Sequence, residues 1–328
     1  MKFDFITIGG STRDISFFTN KGVLIKNPKN ILSQELLAFE YGAKIKVDRF
    51  NYSYGGGAAN TAVCLSNFAF DVACITSVGN DENGEMIRKN LKEKEVSVKL
   101  LQINEKEGSG TSFVLIAPGG ERIIFSQRGA NNSLSISQKE RRAIAKSKNI
   151  YIASLAGSWL KNLDNIFSSI LENEQNVFWN PGMTQLLGGY KKISKYIKKT
   201  TVLAMNKDEA LQLLHSSGRL DARDEKRLNI ANNLVKEIHH LGPKIAVITL
   251  GSKGVIVYDG DKIYRKKILK EKKRVDTTGI GDAFNSTFAA GYIKYNRNIN
   301  KALDLALKNT ASKVGHLGAQ NGLIKMKR

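Results

Sequence analysis

The sequence is poor in cysteine, with only Cys64 and Cys74 among its 328 residues. So few cysteines exclude a scaffold held by several disulfides, and their positions match no zinc-ligand spacing. Both lie in or beside apolar segments, which predicts buried thiols that act as packing residues in a reducing compartment. The composition therefore favours a cytoplasmic location.

Long apolar runs are also absent, since none approaches the about 20 residues that a helix needs to cross a bilayer. The sequence begins with MKFDFITIGG, where Asp4 interrupts a short apolar run. This pattern predicts a first buried strand rather than a signal peptide. With 41% hydrophobic residues and no low-complexity linker, the chain is expected to form one domain over residues 1–328.

Acidic residues are outnumbered, because 30 Asp and Glu face 51 Lys and Arg, which gives a formal net charge of +21. Such an excess is typical of proteins that bind nucleic acids. The lysines are nevertheless spread along helical faces, and no nucleic-acid-binding motif accompanies them. Solvated lysine-rich faces are thus favoured over a polyanion-binding surface. The main groups lie at residues 89–94, 191–199 and 266–273.

Apolar, β-rich runs alternate with amphipathic helical patterns along the chain. This order predicts an α/β fold with a mostly parallel sheet covered by helices on both faces. Ligands of such sheets bind beyond the carboxyl ends of the strands, so we expect a site near Gly9, Asn206 and Gly251. The predicted strands are 5–9, 71–79, 149–155, 200–206 and 244–251, and the predicted helices are 82–95, 160–174, 207–215 and 225–240.

Two segments, about 12–54 and 98–128, break this alternation. Polar and apolar residues alternate in SGTSFVLIAP and GERIIFSQR, which predicts antiparallel strands that turn at Pro118–Gly120. We expect these segments to form a small antiparallel β lid over the site. An edge extension of the main sheet is the alternative.

The most informative segment is DTTGIGDAF, residues 276–284, which precedes an amphipathic helical pattern. Glycines at 279 and 281 allow the amides of Gly279, Ile280 and Gly281 to converge on an anion, aided by the helix dipole. Asp282 then suits a phosphoryl-transfer site, where it would take the proton of the attacking hydroxyl. Taken alone, this pattern would favour an aspartate that caps a helix after a glycine turn.

Four motifs in sequence order show that the chain resembles the ribokinase-like (PfkB) family of sugar and nucleoside kinases. The resemblance covers nearly the whole chain, and it implies a three-layer sandwich with a central, mostly parallel sheet. It also implies ATP-dependent phosphoryl transfer to a hydroxyl, with a lid that in many members forms a homodimer interface. The motifs are GGGAANTA at 55–62, MNKDEA at 205–210, TLGSKG at 249–254 and DTTGIGDAF at 276–284.

Asn206 and Glu209 are three residues apart at a predicted strand end, and therefore share one face of the following helix. The resemblance implies that this pair holds Mg²⁺ through water beside the ATP phosphates. Asparagine and glutamate at this spacing are also ordinary helix-capping residues. The sequence leaves both interpretations open.

The resemblance further implies that Thr249, Gly251 and Gly254 carry the ribose and phosphates of the nucleotide. Asn309 and Ser312, with the neighbouring Lys313, resemble the wall beside the adenine. In many family members a monovalent cation such as K⁺ lies behind the anion site. The matching positions are Asp276 and the carbonyl of Thr278.

On the acceptor side, Asp14 follows the first strand where the family's substrate-binding aspartate falls, and a carboxylate can accept hydrogen bonds from two sugar hydroxyls. Gly55, Gly56 and Asn60 would border the same pocket. Arg128 could meet a carboxylate or phosphate on the substrate, or could be an ordinary surface arginine. Thr12 and Gly57 stand where ribokinase has asparagine and lysine, so the acceptor stays open between a sugar, a sugar derivative and a nucleoside.

The charge alternatives differ in the expected binding of nucleic acid. If the lysines are solvated faces, fluorescence titration of labelled DNA and RNA at physiological salt should give only weak binding, in the nonspecific range of roughly 10⁻⁴–10⁻⁶ M. Sub-micromolar, structure-selective binding would instead support a polyanion-binding protein built on a kinase fold.

Overall fold

Eight strands form the central sheet, and six of them run parallel. The structure is a computed structural model that describes residues 2–26, 35–116, 122–171, 174–218, 230–271 and 274–326. Two antiparallel strands extend one edge. In spatial order the strands are β6 (Val72–Ile75), β1 (Phe5–Ile8), β11 (Asn149–Ile152), β12 (Asn176–Trp179), β13 (Val202–Asn206), β14 (Ile245–Thr249), β15 (Val255–Tyr258) and β16 (Ile263–Lys266).

Helices pack on both faces of this sheet, because the buried strands are apolar on both sides. In β1, Phe5 joins one buried cluster while Ile6 and Ile8 join the other. The first cluster includes residues of α1 (Gly57–Asn67), α2 (Glu82–Glu93), α9 (Ile280–Lys294) and α10 (Ile299–Lys313). The second includes residues of α3 (Gln138–Lys146), α4 (Trp159–Phe167), α5 (Met183–Leu187), α6 (Tyr190–Ile197), α7 (Lys207–Ser216) and α8 (Ala231–His240). The predicted three-layer α/β sandwich is confirmed.

Some predicted element boundaries were wrong. The run 71–79 is divided at Thr76, whose buried hydroxyl donates to Ser11 Oγ at 2.9 Å. Its second half, β7 (Ser77–Gly79), pairs instead with β8 (Gln102–Asn104). The helix predicted over 160–174 ends at Phe167, and the strand β12 was not predicted. Residues 219–229, Pro118–Gly120 and 272–273 lie outside the described residues.

The lid is a separate four-stranded sheet rather than an extension of the main one. Two of its three strand pairs are antiparallel, and the central pair is parallel. Residues 98–110 do not belong to it, because β8 joins β7 on the body of the protein. In spatial order its strands are β10 (Arg122–Gln127), β9 (Thr111–Ile116), β2 (Thr12–Phe18) and β5 (Arg49–Gly55), and a small hairpin of β3 (Val23–Lys26) and β4 (Glu35–Ala38) lies apart.

Cys64 and Cys74 are both free and buried, as predicted, whereas the cytoplasmic location stays a prediction. Within the described ranges, no helix combines the length and the apolar character that crossing a bilayer requires.

Candidate active site

A cavity of about 260 Å³ lies between the carboxyl ends of the central strands and the lid. Its volume is just below the range of pockets that hold drug-sized ligands, which suits a small acceptor. The lid strands contribute Thr12, Asp14, Gly55, Ser112, Ile124 and Ser126 to the lining, and Arg128 lines it directly after β10. Of the predicted site residues, the cavity brings together Asp14, Gly55, Gly56, Asn60, Arg128, Thr278, Gly279 and Asp282.

Asp14 lies on the lid strand β2 and is buried against the floor of the cavity. Thr12 Oγ1 donates a hydrogen bond to its Oδ1 at 2.7 Å. A Cβ at residue 55 would lie 2.1 Å from Asp14 Oδ2, so glycine is required there for the carboxylate to fit. Burial raises the pKa of Asp14, against the lowering effect of hydrogen bonds from Thr12 and Ser112. Two of its neighbours are thus hydroxyls that keep the carboxylate in place.

Asp282 is in the first turn of α9, directly after the glycine turn, residues 276–281. Gly279 has φ 72°, and a Cβ there would meet Ala319 Cβ at 2.5 Å, so this position requires glycine. Gly281 differs, because a Cβ there would meet no atom within 4 Å. The space beside Gly281 is therefore open to a bound group.

The three predicted amide donors are not equivalent. The Ile280 amide already donates to the Thr277 carbonyl at 3.3 Å, within the glycine turn. The helix cap at Gly279 has no side-chain hydrogen bond. An anion at this helix start would therefore meet backbone amides rather than a capping side chain.

Burial, with a smaller effect of the Asp14 charge, raises the pKa of Asp282 to about 6, although a hydrogen bond from Asn60 opposes the rise. Asn60 Nδ2 donates to Asp282 Oδ2 at 2.8 Å. Asn60 was predicted as a pocket wall, and in the structure it also holds this carboxylate. A raised pKa near 6 is suited to a group that accepts a proton at neutral pH.

A chain of amide side chains fixes the orientation of Asn60. Gln320 Nε2 donates to Asn60 Oδ1 at 3.1 Å, and Asn90 Nδ2 donates to Gln320 Oε1 at 2.8 Å. All three amides are buried. Because Asn60 Oδ1 is occupied, its Nδ2 faces Asp282. Sequence analysis missed Gln320 and Asn90, which belong to segments far from residue 60 in sequence.

Asn206 and Glu209 form a capping box at the start of α7. Asn206 Oδ1 accepts from the Glu209 amide at 2.9 Å, and Glu209 Oε2 accepts from the Asn206 amide at 2.8 Å. Burial raises the pKa of Glu209, and the charges of Asp208 and Asp282 add to the rise. Asn206 and Glu209 therefore cap α7, as one of the two interpretations of the sequence predicted. The Glu209 carboxylate also lies within electrostatic reach of Asp282.

The neighbouring strand ends place Thr249 beside Asn206, since the two are paired in the parallel ladder of β13 and β14. Gly251 has φ 58°, and a Cβ there would meet no atom within 4 Å. Gly254 is structural, because a Cβ would lie 2.0 Å from the Lys266 carbonyl oxygen. The surface by Thr249 and Gly251 is thus open to a ligand.

The prediction for Asn309 and Ser312 does not fit their surroundings. Asn309 is fully buried, where Nδ2 donates to Thr287 Oγ1 at 2.6 Å and Oδ1 accepts from the Ile324 amide at 2.7 Å. Ser312 donates to the Gly322 carbonyl at 2.7 Å. Both side chains hold the C-terminal segment together. In this structure the Asn309 side chain has no exposed surface and supports the C-terminal segment, so its contact with a nucleotide stays a prediction.

Asp276, which was predicted to hold a monovalent cation together with the Thr278 carbonyl, already has hydrogen-bond partners within the protein. Asp276 accepts from the Thr278 amide at 2.7 Å and from the Gly318 amide at 2.8 Å. Lys313 Nζ donates to the Asp276 carbonyl oxygen at 3.0 Å. The Lys313 ammonium therefore already places a positive charge beside Asp276, and these surroundings do not fit an additional monovalent cation.

The site suits a Mg²⁺ ion that binds together with the nucleotide, rather than a metal ion held by protein ligands alone. In the described part of the chain, no group of three or more His, Cys, Asp and Glu residues is arranged to hold a metal ion. Mg²⁺ usually keeps several waters and binds through one or two carboxylates together with substrate phosphates. Glu209 could offer such a carboxylate, since it lies within electrostatic reach of Asp282.

The family model described as pfkB family carbohydrate kinase matches residues 30–326. The chain therefore belongs to the pfkB family of carbohydrate kinases, which are phosphotransferases.

Individual relatives are similar over most of their length. An ATP-dependent 6-phosphofructokinase of Thermoanaerobacterium thermosaccharolyticum is 27% identical over 297 residues, or 87% of this chain and 86% of that one. Arabidopsis thaliana ribokinase, solved with ribose and ATP, has a TM-score of 0.77 at 18% identity and covers 99% of this chain and 96% of its own. A Burkholderia thailandensis nucleoside kinase with inosine has a TM-score of 0.75 at 16% identity and covers 97% and 94%.

The hydrogen bond from Asn60 predicts a pH effect. If Asp282 acts as a base, log kcat/KM should fall as the pH drops through about 6, where this carboxylate becomes protonated. Asn60→Ala removes a hydrogen bond that favours the charged form, so the acid limb should move to higher pH. Asn67→Ala, on the same helix but outside the cavity, is the matched control. An unmoved acid limb in Asn60→Ala would contradict this coupling.

Proposed function

We propose that this protein transfers the γ-phosphoryl group of ATP to a hydroxyl of a sugar or sugar derivative. The observation that carries the proposal is the placement of two carboxylates on opposite sides of one cavity, Asp14, which is buried, and Asp282, which is partly buried. Asp282 follows the glycine turn at the start of α9. A carboxylate that binds hydroxyls and a second that takes a proton are the two functions that this transfer needs.

Asp282 would orient the acceptor hydroxyl and accept its proton as the new O–P bond forms and the bond to ADP breaks. Its pKa of about 6 keeps it ionised at neutral pH and close enough to take up the proton. The amides of Gly279 and Gly281, with a smaller part for Ile280, would stabilise charge on the moving phosphoryl group. This division fits phosphoryl transfer, where positioning and charge stabilisation matter most.

The nucleotide would lie along the ends of β13 and β14. Gly251 and Gly281 support this placement, because both leave room for phosphates beside their backbone. Asn206 and Glu209 would hold Mg²⁺ through water at this position. When bound with ATP, Mg²⁺ neutralises phosphate charge near Asp14, Asp282 and Glu209, which would otherwise repel the nucleotide.

Arg128 bears on the choice of acceptor. It is exposed at the cavity mouth, where Nη2 donates to Thr184 Oγ1 at 3.1 Å, and among the described lining residues it is the one cation. An acceptor with a phosphate or carboxylate would meet it there. A nucleoside remains the alternative acceptor, and the relatives named above include enzymes of both kinds.

An ADP-release screen over pentoses, hexoses, sugar phosphates, keto-deoxy acids and nucleosides identifies the acceptor. With that acceptor, Asp282→Asn should lower kcat at least ~100-fold, because the proton acceptor is lost while the amides remain.

Asp14→Ala should raise the acceptor KM strongly and leave ATP affinity, measured by calorimetry, unchanged. Near-normal turnover in Asp282→Asn, or weakened ATP binding in Asp14→Ala, would refute the assigned roles.

Folding of Asp282→Asn serves as the control. A folded-state pKa above the ordinary value means that the ionised carboxylate costs stability. This cost is complete above about pH 6, decreases as the pH falls from about 6 to the ordinary pKa of 3.8, and is absent below that value. Asp282→Asn removes the charge, and its unfolding temperature at pH 7.5 should equal or exceed that of the wild type. A large decrease would show that the variant loses activity through misfolding.

We also propose that the lid forms a homodimer interface. Its inner face presents Asp14, Ser112 and Ser126 to the cavity. Its outer face exposes aromatic side chains at fractions of 64% for Phe50, 54% for Tyr52, 44% for Phe113 and 57% for Phe125. Tyr52, Phe113 and Phe125 lie in one row across the sheet, in register with Ile15. Such a contiguous apolar face is typical of a surface covered by a partner, and a second copy is the simplest one.

Light scattering after size exclusion tests the dimer. The wild type should have twice the chain mass, and Phe113→Ser combined with Phe125→Ser should shift it to the monomer because the apolar contact is removed. Leu187→Ser is the matched control, since Leu187 is 67% exposed on α5 outside the lid. A monomeric wild type at micromolar concentration would refute the proposal.

A further inference from the structure

Lys313, the last residue of α10, has no exposed surface. Among the described residues it is the only lysine or arginine that is buried. Lysine is almost never fully buried without a partner, because removal of the ammonium from water costs several kcal/mol. Of the 51 lysine and arginine residues of the chain, Lys313 thus lies in the interior. The groups around the Lys313 ammonium must compensate for its lost hydration.

The compensating group is Asp276. Lys313 Nζ donates to its carbonyl oxygen at 3.0 Å and lies 3.9 Å from its carboxylate Oδ2. Burial acts to raise the pKa of Asp276, but hydrogen bonds from Thr278 and Gly318 together with the Lys313 charge outweigh burial and lower it. The carboxylate is therefore ionised, and the two residues form an internal ion pair.

This pair lies directly behind the catalytic segment. Asp276 begins the glycine turn that leads to Asp282, and its carboxylate holds the turn to the C-terminal segment through the Thr278 and Gly318 amides. Thr278 and Gly279 line the cavity on the other side. A positive charge at this position both fixes the turn and adds to the field that an incoming phosphate meets.

We propose that the Lys313 ammonium is a built-in replacement for a monovalent cation behind the glycine turn, so that phosphoryl transfer by this protein needs no added K⁺. This inference rests on the proposed function. Lys313 acts as a positioning residue: it does not touch the substrates, and it works by holding Asp276 and hence the turn. A second cation at the same carbonyl and carboxylate oxygens would be repelled by the ammonium.

Removal of the side chain should create the cation site that the lysine now fills. Lys313→Ala would leave a cavity bordered by the Asp276 carbonyl and carboxylate oxygens, which are ligands of the type that hard cations prefer. The variant should therefore respond to K⁺ or NH₄⁺ in a way that the wild type does not.

The first measurement compares thermal unfolding in K⁺, NH₄⁺ and tetramethylammonium chloride at equal ionic strength. The wild type should unfold at the same temperature in all three salts. Lys313→Ala should unfold roughly 5–10 °C lower in tetramethylammonium, since one partner of a buried pair is missing, and should regain part of the loss in K⁺ or NH₄⁺. Lys294→Met, at the exposed end of the neighbouring α9, is the control and should show no cation effect.

The second measurement repeats the comparison with kcat and KM for the acceptor found in the screen. Wild-type kcat should agree within about twofold across the salts, and Lys313→Ala should lose at least ~10-fold in kcat, recovered by K⁺ or NH₄⁺, with little change in acceptor KM. A wild-type rate that rises more than ~10-fold with K⁺, or a Lys313→Ala variant indifferent to cations in both stability and rate, would overturn the proposal.

The two proposals can fail separately. If no acceptor supports turnover of the wild type, the proposed function fails, while the unfolding measurements still test the cation role of Lys313. If Lys313→Ala does not fold, Lys313→Gln keeps the volume and removes the charge, and the wild-type salt series alone can still contradict the inference.

Discussion

The arrangement of the site depends on one buried carboxylate, Asp276, which joins two distant parts of the chain. Its oxygens accept the Thr278 and Gly318 amides, and its carbonyl accepts the Lys313 ammonium. The glycine turn is thereby fixed against the C-terminal segment, which also supplies Gln320 to orient Asn60. Because Asn60 in turn holds Asp282, the position of the proposed base follows from contacts that begin at Asp276. Rigid support of this kind is what a proton acceptor needs to meet a substrate hydroxyl in a fixed direction.

Electrostatics explain why the site needs that support. Asp14 and Asp282 place negative charge in one cavity, Glu209 lies within electrostatic reach of Asp282, and burial raises the pKa of all three carboxylates. The protein offsets this charge with amide and hydroxyl donors rather than with salt bridges, so each carboxylate keeps an oxygen available to a ligand. Lys313 supplies positive charge from behind the turn, where it cannot compete with substrates for the cavity. The charge balance is thus completed only when the acceptor, ATP and its metal ion are bound.

Much of this could be predicted from the sequence, because the informative residues lie in contiguous motifs. The alternation of strands and helices and the separate lid were predicted and are seen in the structure. Asp14 and Asp282, which were singled out in separate motifs, line the same cavity. The short strand β12 was missed because NVFW gives too few residues for a pattern. Gln320 was missed, and the burial of Asn309 and Lys313 was not predicted, because these features depend on contacts between segments that are far apart in sequence. A lysine that is buried looks the same in a sequence as one on the surface.

The most direct test of the account is a crystal structure with the identified acceptor and a non-hydrolysable ATP analogue. We expect two acceptor hydroxyls within hydrogen-bond distance of the Asp14 carboxylate, and the reacting hydroxyl about 3 Å from Asp282 and in line with the γ-phosphorus. The γ-phosphate should lie against the amides of Gly279 and Gly281. An acceptor whose reacting hydroxyl points away from Asp282, or a nucleotide bound away from the glycine turn, would contradict the central claim.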